Sequence, residues 1–423
     1  MPQRFDQDGP SPQARLRREH ERVILRAITV NETVSRTQLA ADHGLSAQSV
    51  GRIVRDLLSD GLIEETSTDQ SDGPGAPRIG LRVRADGAYA LGFGIERDRF
   101  TGVLLDLGSN VRWHISRALL PGQTAAQVLQ RIEEDARLAL EGTEFGGDRS
   151  RLCGLGIAVP GPLDLTSGTI VGAPNFPNWQ HVNVAEELHR ALDLPVVIDN
   201  AATAAAIGTK WQLRRGPTPF LYCYWGLGIG GGLVVDDEAY HGMTGNTMEI
   251  GHVVVTPHGR PCDCGGIGCL EAEASVAAIL KDAASYGEFS AIDEVVAAAA
   301  QSEPLTAILS AAAEKMAAGI LTAVNLVDVD EVIIGGEHFR AVEQIFLPVI
   351  RARLETRAFR RQIAPVRVTL GAFEAASAVG AASLVFQTLL PPQAQANPLA
   401  GPAASLAVMR AGRRPQAQAR GTS

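Results

Sequence analysis

The sequence predicts an α/β protein in which a small, mainly helical N-terminal unit precedes a larger body. The chain has 423 residues, more than one ordinary domain needs. Hydrophobic residues make up 45% of it, which is enough for a large buried core. From Ala88 onward, short apolar strands alternate with amphipathic helices, the pattern typical of α/β proteins.

The charge of the chain is unevenly distributed. The net charge is −9, but acidic and basic residues number twelve each through residue 85, so the acidic excess lies in the body. The tail from residue 387 holds four arginines and no acid. Because an acidic surface repels phosphates, nucleic acid could bind only locally, not over the whole protein.

The N-terminus is polar and lacks the apolar core of a signal peptide. No uninterrupted apolar run reaches the roughly 18 residues that a membrane span needs. These observations predict a cytoplasmic protein with no membrane partner. Five cysteines in a chain of this length do not indicate a disulfide framework.

Residues 1–14 are predicted to be disordered, and helical periodicity starts near Leu16. Val23, Ile24 and Ala27 share one face of this first helix and are predicted to be buried.

Two further helices and a hairpin follow. Ser35 and Ser46 are typical N-caps, and the helix after Ser46 has an apolar stripe. The segments 62–65 and 79–84 alternate like paired strands, joined by a loop rich in Gly, Pro, Ser and Asp. This order predicts a winged helix-turn-helix over 15–86. The stripe consists of Val50, Ile53, Val54, Leu57 and Leu58.

A winged helix-turn-helix binds double-stranded DNA by placing its second helix in the major groove, where polar side chains meet base edges. Gln48 and Ser49 are candidates for base contacts, Arg36, Arg52 and Arg55 for phosphates, and Arg78 at the wing tip for a minor groove. The alternative is a unit that mediates only protein contacts. The predicted DNA-binding residues are Arg36, Ser46, Gln48, Ser49, Arg52, Arg55 and Arg78.

The body is predicted to span 87–390. The tail, 391–423, is biased toward Pro, Ala, Gln and Arg and is predicted to be disordered.

A group of potential metal ligands lies near the middle of the body. Cys262, Cys264 and Cys269 fall within eight residues, with glycines between them, and His252 precedes them by ten residues. One imidazole and three thiolates suit a closed, structural Zn²⁺ site. His258 is a possible alternative to His252. The competing interpretation is a disulfide or free thiols.

The segment 249-EIGHVVVTPHGRPCDCGGIGCLE-271 resembles the signature of the ROK family (repressors, open reading frames, kinases). The resemblance extends from about Ala88 to Leu390 and includes 174-PNFPNW-179, 226-GLGIGGG-232 and 332-VIIGG-336. It implies a two-lobed, actin-like (RNase H-type) fold with sugar held between the lobes. The first lobe would comprise about 87–199 and 371–390, and the second about 200–370.

The resemblance also implies sugar contacts. His252 would serve twice, with one ring nitrogen on zinc and the other toward the sugar. Carboxylates, amides and an imidazole suit adjacent sugar hydroxyls, which both donate and accept hydrogen bonds. The matching residues are Asn175, Asn200, Glu249, His252 and Glu271.

The chain departs from the kinase members of the family at the catalytic positions. Ala201 stands where they carry the aspartate that acts as general base, without which a sugar hydroxyl is a poor nucleophile. Their first phosphate loop, D-x-G-G-T-K, corresponds here to 95-IERDRFTG-102, and Leu227 replaces a threonine of the second loop. Met248 replaces a glycine beside the sugar residues. No catalytic residue is therefore predicted.

The sequence predicts a DNA-binding transcriptional regulator of carbohydrate metabolism, most simply a repressor, controlled by a sugar in a catalytically inactive cleft. A homodimer or homotetramer would bind a palindromic operator. The alternatives are an active sugar kinase with an accessory DNA-binding head, and a zinc- or redox-responsive regulator.

Overall fold

The computed structural model describes residues 12–67, 79–120, 122–142, 148–173, 176, 178–213, 218–236, 238–371 and 374–390. Its N-terminal unit, which we call the head, has three helices and a three-stranded sheet in the order β1-β3-β2. The elements are α1 (Pro12–Val30), β1 (Val34–Ser35), α2 (Arg36–Asp42), α3 (Ala47–Ser59), β2 (Ile63–Ser67) and β3 (Ile79–Val83).

The two serine caps predicted from the sequence are confirmed. The Ser35 side chain accepts a hydrogen bond from the Gln38 amide, and Ser46 accepts one from the Ser49 amide at 3.1 Å. These bonds satisfy amides that a helix N-terminus otherwise leaves without partners.

The first helix begins earlier than predicted. It starts at Pro12, so the expectation of disorder was wrong for residues 12–14. Its buried face is centred on Ile24, Leu25 and Ile28, whereas Val23 and Ala27 are only half-buried. Residues 1–11 of the expected disordered segment lie outside the described residues.

Among the described residues, the first half of the body has eight strands and two α-helices. They are β4 (Tyr89–Ile95), β5 (Arg99–Asp106), β6 (Val111–Ala118), α4 (Ala125–Glu141), β7 (Leu152–Val159), β8 (Leu163–Asp164), β9 (Thr169–Ile170), β10 (Val182–Asn183), α5 (Val184–Leu192) and β11 (Val196–Asn200). Strands β8 to β10 form a small separate sheet.

The second half contains five strands and seven helices. They are α6 (Ala201–Gln212), β12 (Phe220–Trp225), β13 (Ile229–Val235), β14 (Glu238–Ala239), α7 (Leu270–Ala274), α8 (Val276–Ala283), α9 (Ile292–Ala299), α10 (Glu303–Val327), β15 (Glu331–Gly335), α11 (Phe339–Arg357), β16 (Arg367–Leu370) and α12 (Ala376–Leu389).

The two large sheets of the body share one topology. The first has the order β6-β5-β4-β7-β11 and the second β14-β13-β12-β15-β16. In each sheet the first three strands are antiparallel, and the last two run parallel to the central strand. This duplication confirms the predicted two-lobed, actin-like architecture. The sheets fall within the residue ranges expected for the lobes, whose boundaries remain a prediction.

Helices α6 and α12 cross at the junction of the lobes. A Cβ added at Gly380 would lie 1.7 Å from the Ala204 carbonyl oxygen, and one at Gly208 would lie 2.4 Å from the Ala376 carbonyl oxygen. Only glycine allows this backbone-to-backbone approach. Helix α6 starts directly after Asn200, the last residue of β11, whose side chain caps it.

The head and the body share one apolar cluster, which includes Ile24 and Leu62 of the head and Phe386 and Leu390 of the body. A guanidinium nitrogen of Arg22 in α1 also donates to the carbonyl of Thr388 in α12, at 2.6 Å. The head is therefore packed directly against the last helix of the body.

One helix within the described part of the chain, α10, is long and apolar enough to cross a membrane by length and composition. Its most apolar window has a mean hydropathy of 1.4, and half of that window is buried in the protein. Core helices of soluble proteins pass the same test, so this is weak evidence for a membrane span.

Candidate functional site

The predicted metal ligands come together in the structure. The candidate ligand atoms of His252, Cys262, Cys264 and Cys269 all lie within 4.8 Å of one another. His252 Nδ1 lies 3.6 Å from Cys262 Sγ, and Cys264 Sγ lies 3.7 Å from Cys269 Sγ. A tetrahedral Zn²⁺ with bonds of about 2.0–2.3 Å has ligand–ligand edges of roughly 3.3–3.8 Å, which these two distances match, so the four residues could hold this ion.

The group does not include His258, the alternative ligand. All five cysteines of the chain are free in the structure, and the 3.7 Å between Cys264 and Cys269 is far longer than the roughly 2.05 Å of an S–S bond. The disulfide interpretation is therefore not supported.

Glycines shape the loop that carries the thiols. Gly265 and Gly268 have φ values of +90° and +73°, which disfavour residues with side chains. A Cβ at Gly268 would lie only 1.7 Å from the Thr256 carbonyl oxygen. The amide of Cys262 donates to the Gly266 carbonyl at 2.9 Å and closes the turn.

His252 reaches this loop from a 3₁₀ turn over Ile250–His252. The His252 amide donates to the Glu249 carbonyl at 3.0 Å, which fixes the turn. His252 Nδ1 is the ring nitrogen that faces the Cys262 thiol, and the contact of the other nitrogen with sugar stays a prediction.

The thiols differ in electrostatic environment. Burial and the neighbouring thiols raise the pKa of Cys262 to about 12. Burial acts in the same direction on Cys264, but hydrogen bonds from the Gly266 amide and the other two thiols outweigh it and lower the Cys264 pKa. A bound cation would therefore displace protons from this cluster, and its affinity would fall with decreasing pH.

A buried carboxylate anchors the loop 262–269, which we call the metal loop. Glu273, in α7 just after the last cysteine, accepts a hydrogen bond from the Arg260 amide at 2.7 Å and one from Lys315 Nζ at 2.5 Å. Arg260 also pairs with Asp282 at 2.7 Å. The loop is thereby tied to the helical layer of the second lobe at both ends.

Residues of both lobes meet above Gly161, in the turn after β7. From the position that a Cβ would occupy on Gly161, Asn200 Nδ2 lies 3.2 Å away, Asn246 Oδ1 3.3 Å and Glu249 Oε1 3.6 Å. Two of the predicted sugar residues, Asn200 and Glu249, therefore line one space at the cleft.

Glu271 and His252 complete the described part of the predicted sugar site, and we call Asn200, Glu249, His252 and Glu271 together the sugar wall. A carboxylate oxygen of Glu271 accepts a hydrogen bond from the Ile229 amide at 2.9 Å. Burial raises the pKa of Glu249, His252 lowers it and Glu271 raises it, so both side chains are close enough to act on the Glu249 carboxyl. The fifth predicted residue, Asn175, lies outside the described residues.

Asn246 was not predicted from the sequence. Its side-chain oxygen accepts from the Leu163 amide at 2.8 Å, and its amide nitrogen donates to the Leu163 carbonyl at 2.9 Å. It therefore joins the second lobe to β8 of the first lobe beside the sugar wall. A residue that binds backbone atoms 83 positions away leaves no periodic or spacing signal in the sequence.

Residue 201, the position predicted to correspond to the kinases' general base, is an alanine. Ala201 is the first residue of α6 and presents a methyl group. The preceding carboxylate, Asp199, is fully buried, accepts from its neighbour's amide at 2.7 Å and contacts His241 Nε2 at 2.8 Å. Burial opposes protonation of His241, but Asp199 and the Ala239 carbonyl raise its pKa above the usual value. Asp199 is thus buried and engaged with His241.

The stretch 95–102 corresponds to the first phosphate loop of the kinases, and several of its side chains are bonded to other parts of the body. Glu96, at the end of β4, accepts hydrogen bonds from Tyr224 Oη at 3.1 Å and Ser377 Oγ at 3.2 Å. Burial and the nearby charge of Glu337 raise the pKa of Glu96 to about 7. An Arg97 guanidinium nitrogen donates to the Leu227 carbonyl at 3.2 Å.

On the head, Gln48, Arg52 and Arg55 are exposed along α3. Ser46 Oγ donates to Ser49 Oγ at 2.9 Å. Arg36 is half-buried and pairs with Glu65 of β2 at 2.6 Å, so it is not a free phosphate ligand in this conformation. Arg78 lies outside the described residues.

A winged head, an actin-like body and a His/Cys₃ cluster beside the cleft together define the class of protein. The model of the ROK family matches residues 143–388, and a model described as winged helix-turn-helix DNA-binding matches residues 17–64. The chain belongs to the ROK family and carries an N-terminal winged helix-turn-helix.

Full-length similarity extends to regulators. The chain is 26% identical over 396 residues to a xylose repressor of Caldicellulosiruptor bescii, covering 89% of this chain and 97% of the relative. A crystal structure of a ROK family transcriptional regulator, a homolog of the E. coli MLC protein, matches with a TM-score of 0.72 and 24% identity over 88% of this chain and 96% of its own. This second match shows the shared fold.

The body is also similar to kinases. A ROK family glucokinase from Streptomyces griseus, solved with glucose and AMPPNP, matches with a TM-score of 0.60 and 25% identity. The match covers 70% of this chain and 99% of the kinase. The family therefore includes both regulators and enzymes, and the residues of the cleft must distinguish them.

Proposed function

We propose that this protein is a transcriptional repressor of carbohydrate metabolism that senses a sugar in a cleft without kinase activity. The observation that carries the proposal is Ala201 at the start of α6, beside a retained sugar wall. The full-length similarity to a xylose repressor supports it and makes a pentose such as xylose the first candidate effector.

The sugar would contact Asn200, Glu249, His252 and Glu271, together with Asn175 from the first lobe. A sugar hydroxyl both donates and accepts, so this mixture of amides, carboxylates and imidazole can satisfy adjacent hydroxyls. The loss of a carboxylate at position 201 removes one charged partner, which favours a ligand without a hydroxyl at that point.

The bound metal would be Zn²⁺, held by His252, Cys262, Cys264 and Cys269. With four protein ligands it supplies structural bracing and leaves no open position for water. It fixes the His252 ring, so that the imidazole edge remote from Nδ1 is presented toward the cleft.

The head would bind operator DNA as part of a homodimer or homotetramer in the cytoplasm. Gln48 and Ser49 would reach base edges, Arg52 and Arg55 would reach phosphates, and Ser46 would hold the start of the recognition helix. Arg36 would contact phosphate only by leaving Glu65, and Arg78 would reach into the adjacent minor groove.

Besides the shared apolar cluster, polar contacts link the lobes to the head. Arg22 binds the last turn of α12, and Arg151 of the first lobe donates to the Asp86 carbonyl at 3.0 Å, just after the wing. A sugar that binds the closed cleft more tightly than the open one would shift the position of α12 and of the first lobe, and hence of the paired heads.

The experiment is operator release. Duplexes are selected from a randomised pool on the full-length, zinc-loaded protein, and fluorescence anisotropy then follows their binding during titration with xylose and with other sugars. We expect one sugar to weaken the complex by about tenfold or more. Failure to select any duplex would contradict the DNA-binding role, and selected duplexes indifferent to every sugar would contradict the sensing role.

A further inference from the structure

The turn between β4 and β5 joins the two lobes through its own side chains. Four consecutive residues, Glu96 to Arg99, each contact the second lobe within hydrogen-bond or ion-pair distance. The contacts are Tyr224 Oη to Glu96 at 3.1 Å, Arg97 to the Leu227 carbonyl at 3.2 Å and to Asp263 at 3.9 Å, His338 Nε2 to Asp98 at 3.9 Å, and Arg99 to Glu337 at 2.7 Å.

These contacts lie where a phosphate cradle would have to be open. A cradle needs bare backbone amides that approach the phosphates closely, which glycine provides. Here the turn carries two arginines and two acids, and their side chains cross the space between the lobes. The shortest ion pair, Arg99 to Glu337, is partly shielded from water, with side-chain exposures of 33% and 20%.

The partners of this turn lie next to the metal ligands, next to Ile229 and in α12. Asp263 lies between two metal-ligand positions, Cys262 and Cys264, and Leu227 lies two residues before the amide that Glu271 holds. At the other side, Glu96 also binds Ser377 in the first turn of α12, the helix that contacts the head at Thr388. The turn therefore touches the metal loop, the sugar wall and the helix that leads to the head.

We propose that Glu96, Arg97, Asp98 and Arg99 form an inter-lobe latch that holds the cleft closed in place of a nucleotide. The latch supplies from within the chain the bridging charges that a bound nucleotide would supply from outside. Lobe closure then depends on the sugar and on this turn, without a nucleotide. The latch requires only the two-lobed fold, whereas its effect on operator binding rests on the proposed function.

The test uses a charge swap in the full-length, zinc-loaded protein without DNA or sugar. Arg99→Glu and Glu337→Arg each place like charges together across the cleft, and the double variant restores an opposite pair. Arg117→Glu is the matched control, because Arg117 pairs with Asp135 at 3.0 Å entirely within the first lobe. Hydrogen exchange of the amides in segments 96–99 and 224–229 is measured by mass spectrometry.

Each single variant is expected to speed exchange in both segments by about tenfold, and the double variant to recover most of the protection. Exchange rates equal to those of Arg117→Glu would overturn the latch. Equal acceleration in the single and double variants would also overturn it, because the effect would not depend on the pairing.

A milder variant covers the case in which charge reversal unfolds the protein. Arg97→Ala removes only the contacts to Leu227 and Asp263, from a side chain that is 34% exposed. Faster exchange at 226–228 and at 262–264, with the melting temperature unchanged, supports the link to the metal loop. Unchanged exchange at both segments would refute that link. Because neither readout involves operator or sugar, failure here is distinguishable from failure of the proposed function.

Discussion

The sugar side and the phosphate side of the proposed cleft differ in how much of the kinase pattern they keep. On the sugar side, Asn200, Glu249 and Glu271 converge near a metal cluster whose spacing fits Zn²⁺. On the phosphate side, Ala201 offers only a methyl group and the turn at 96–99 is tied to the second lobe. Under the proposed function, a fold shared with kinases keeps ligand recognition while the groups needed for phosphoryl transfer are replaced.

The largest effect is expected from the metal cluster. Cys264→Ser should lose the metal and lower the melting temperature by about 5–10 °C, because a structural metal adds its binding free energy to folding. Metal content by mass spectrometry and thermal unfolding check this. Cys153→Ser is the control, since Cys153 lies outside the cluster. Equal melting temperatures for the two variants would show that the cluster does not brace the sugar side.

The second effect concerns the buried carboxyl on the phosphate side. The folded protein keeps Glu96 protonated up to about pH 7, whereas an unperturbed glutamate loses its proton near 4.5, so stability falls as the pH rises between these values. Glu96→Gln removes this penalty, which is on the order of 3 kcal/mol. The variant should melt higher than the wild type at alkaline pH, with the difference vanishing toward pH 4.5. A difference independent of pH would contradict the assignment.

The third prediction returns to the sugar wall. Glu249→Gln should weaken binding of the inducing sugar by roughly tenfold to a hundredfold, because a charge-assisted hydrogen bond contributes about 1.5–3 kcal/mol. Calorimetric titration measures the affinity. Glu134→Gln on the exposed face of α4 is the matched control. If both variants bind sugar alike, Glu249 is not part of the wall.

The smallest expected effect is that of placing a carboxylate at position 201, which tests the sugar side and the phosphate side in one variant. Ala201→Asp restores a carboxylate and should tighten binding of a hexose by about tenfold, through a new hydrogen bond to a hydroxyl. It should produce no phosphorylated sugar, because the phosphate side is still crossed by Arg97 and Arg99. Ala201→Asn supplies a partner without a base and serves as control. Turnover by the aspartate variant would mean that residue 201 alone separates this protein from a kinase.

Local features of the fold and of the site were predictable from the sequence. The serine caps and the cysteine loop depend on residues a few positions apart, so spacing alone identifies them. The strands β1 and β6 were not predicted, because β1 has two residues and β6 is an edge strand with mostly exposed side chains.

Features that depend on distant partners were out of reach. Asn246 acquires its role from backbone atoms of Leu163, and Glu96 from Tyr224, 128 residues away. The pairing of Asp199 with His241 is of the same kind. The sequence indicated which phosphate-binding groups of the kinases are missing here. Only the packing of the lobes showed which side chains occupy their place.

The most direct test of the central claim is a single titration that follows sugar binding and phosphoryl transfer together. The wild-type protein is titrated with xylose in the presence and absence of ATP and Mg²⁺, with heat recorded and ADP assayed in the same samples. We expect ATP to leave the affinity for the sugar unchanged, and we expect no more ADP than in the sugar-free background. Sugar-dependent formation of ADP would contradict it.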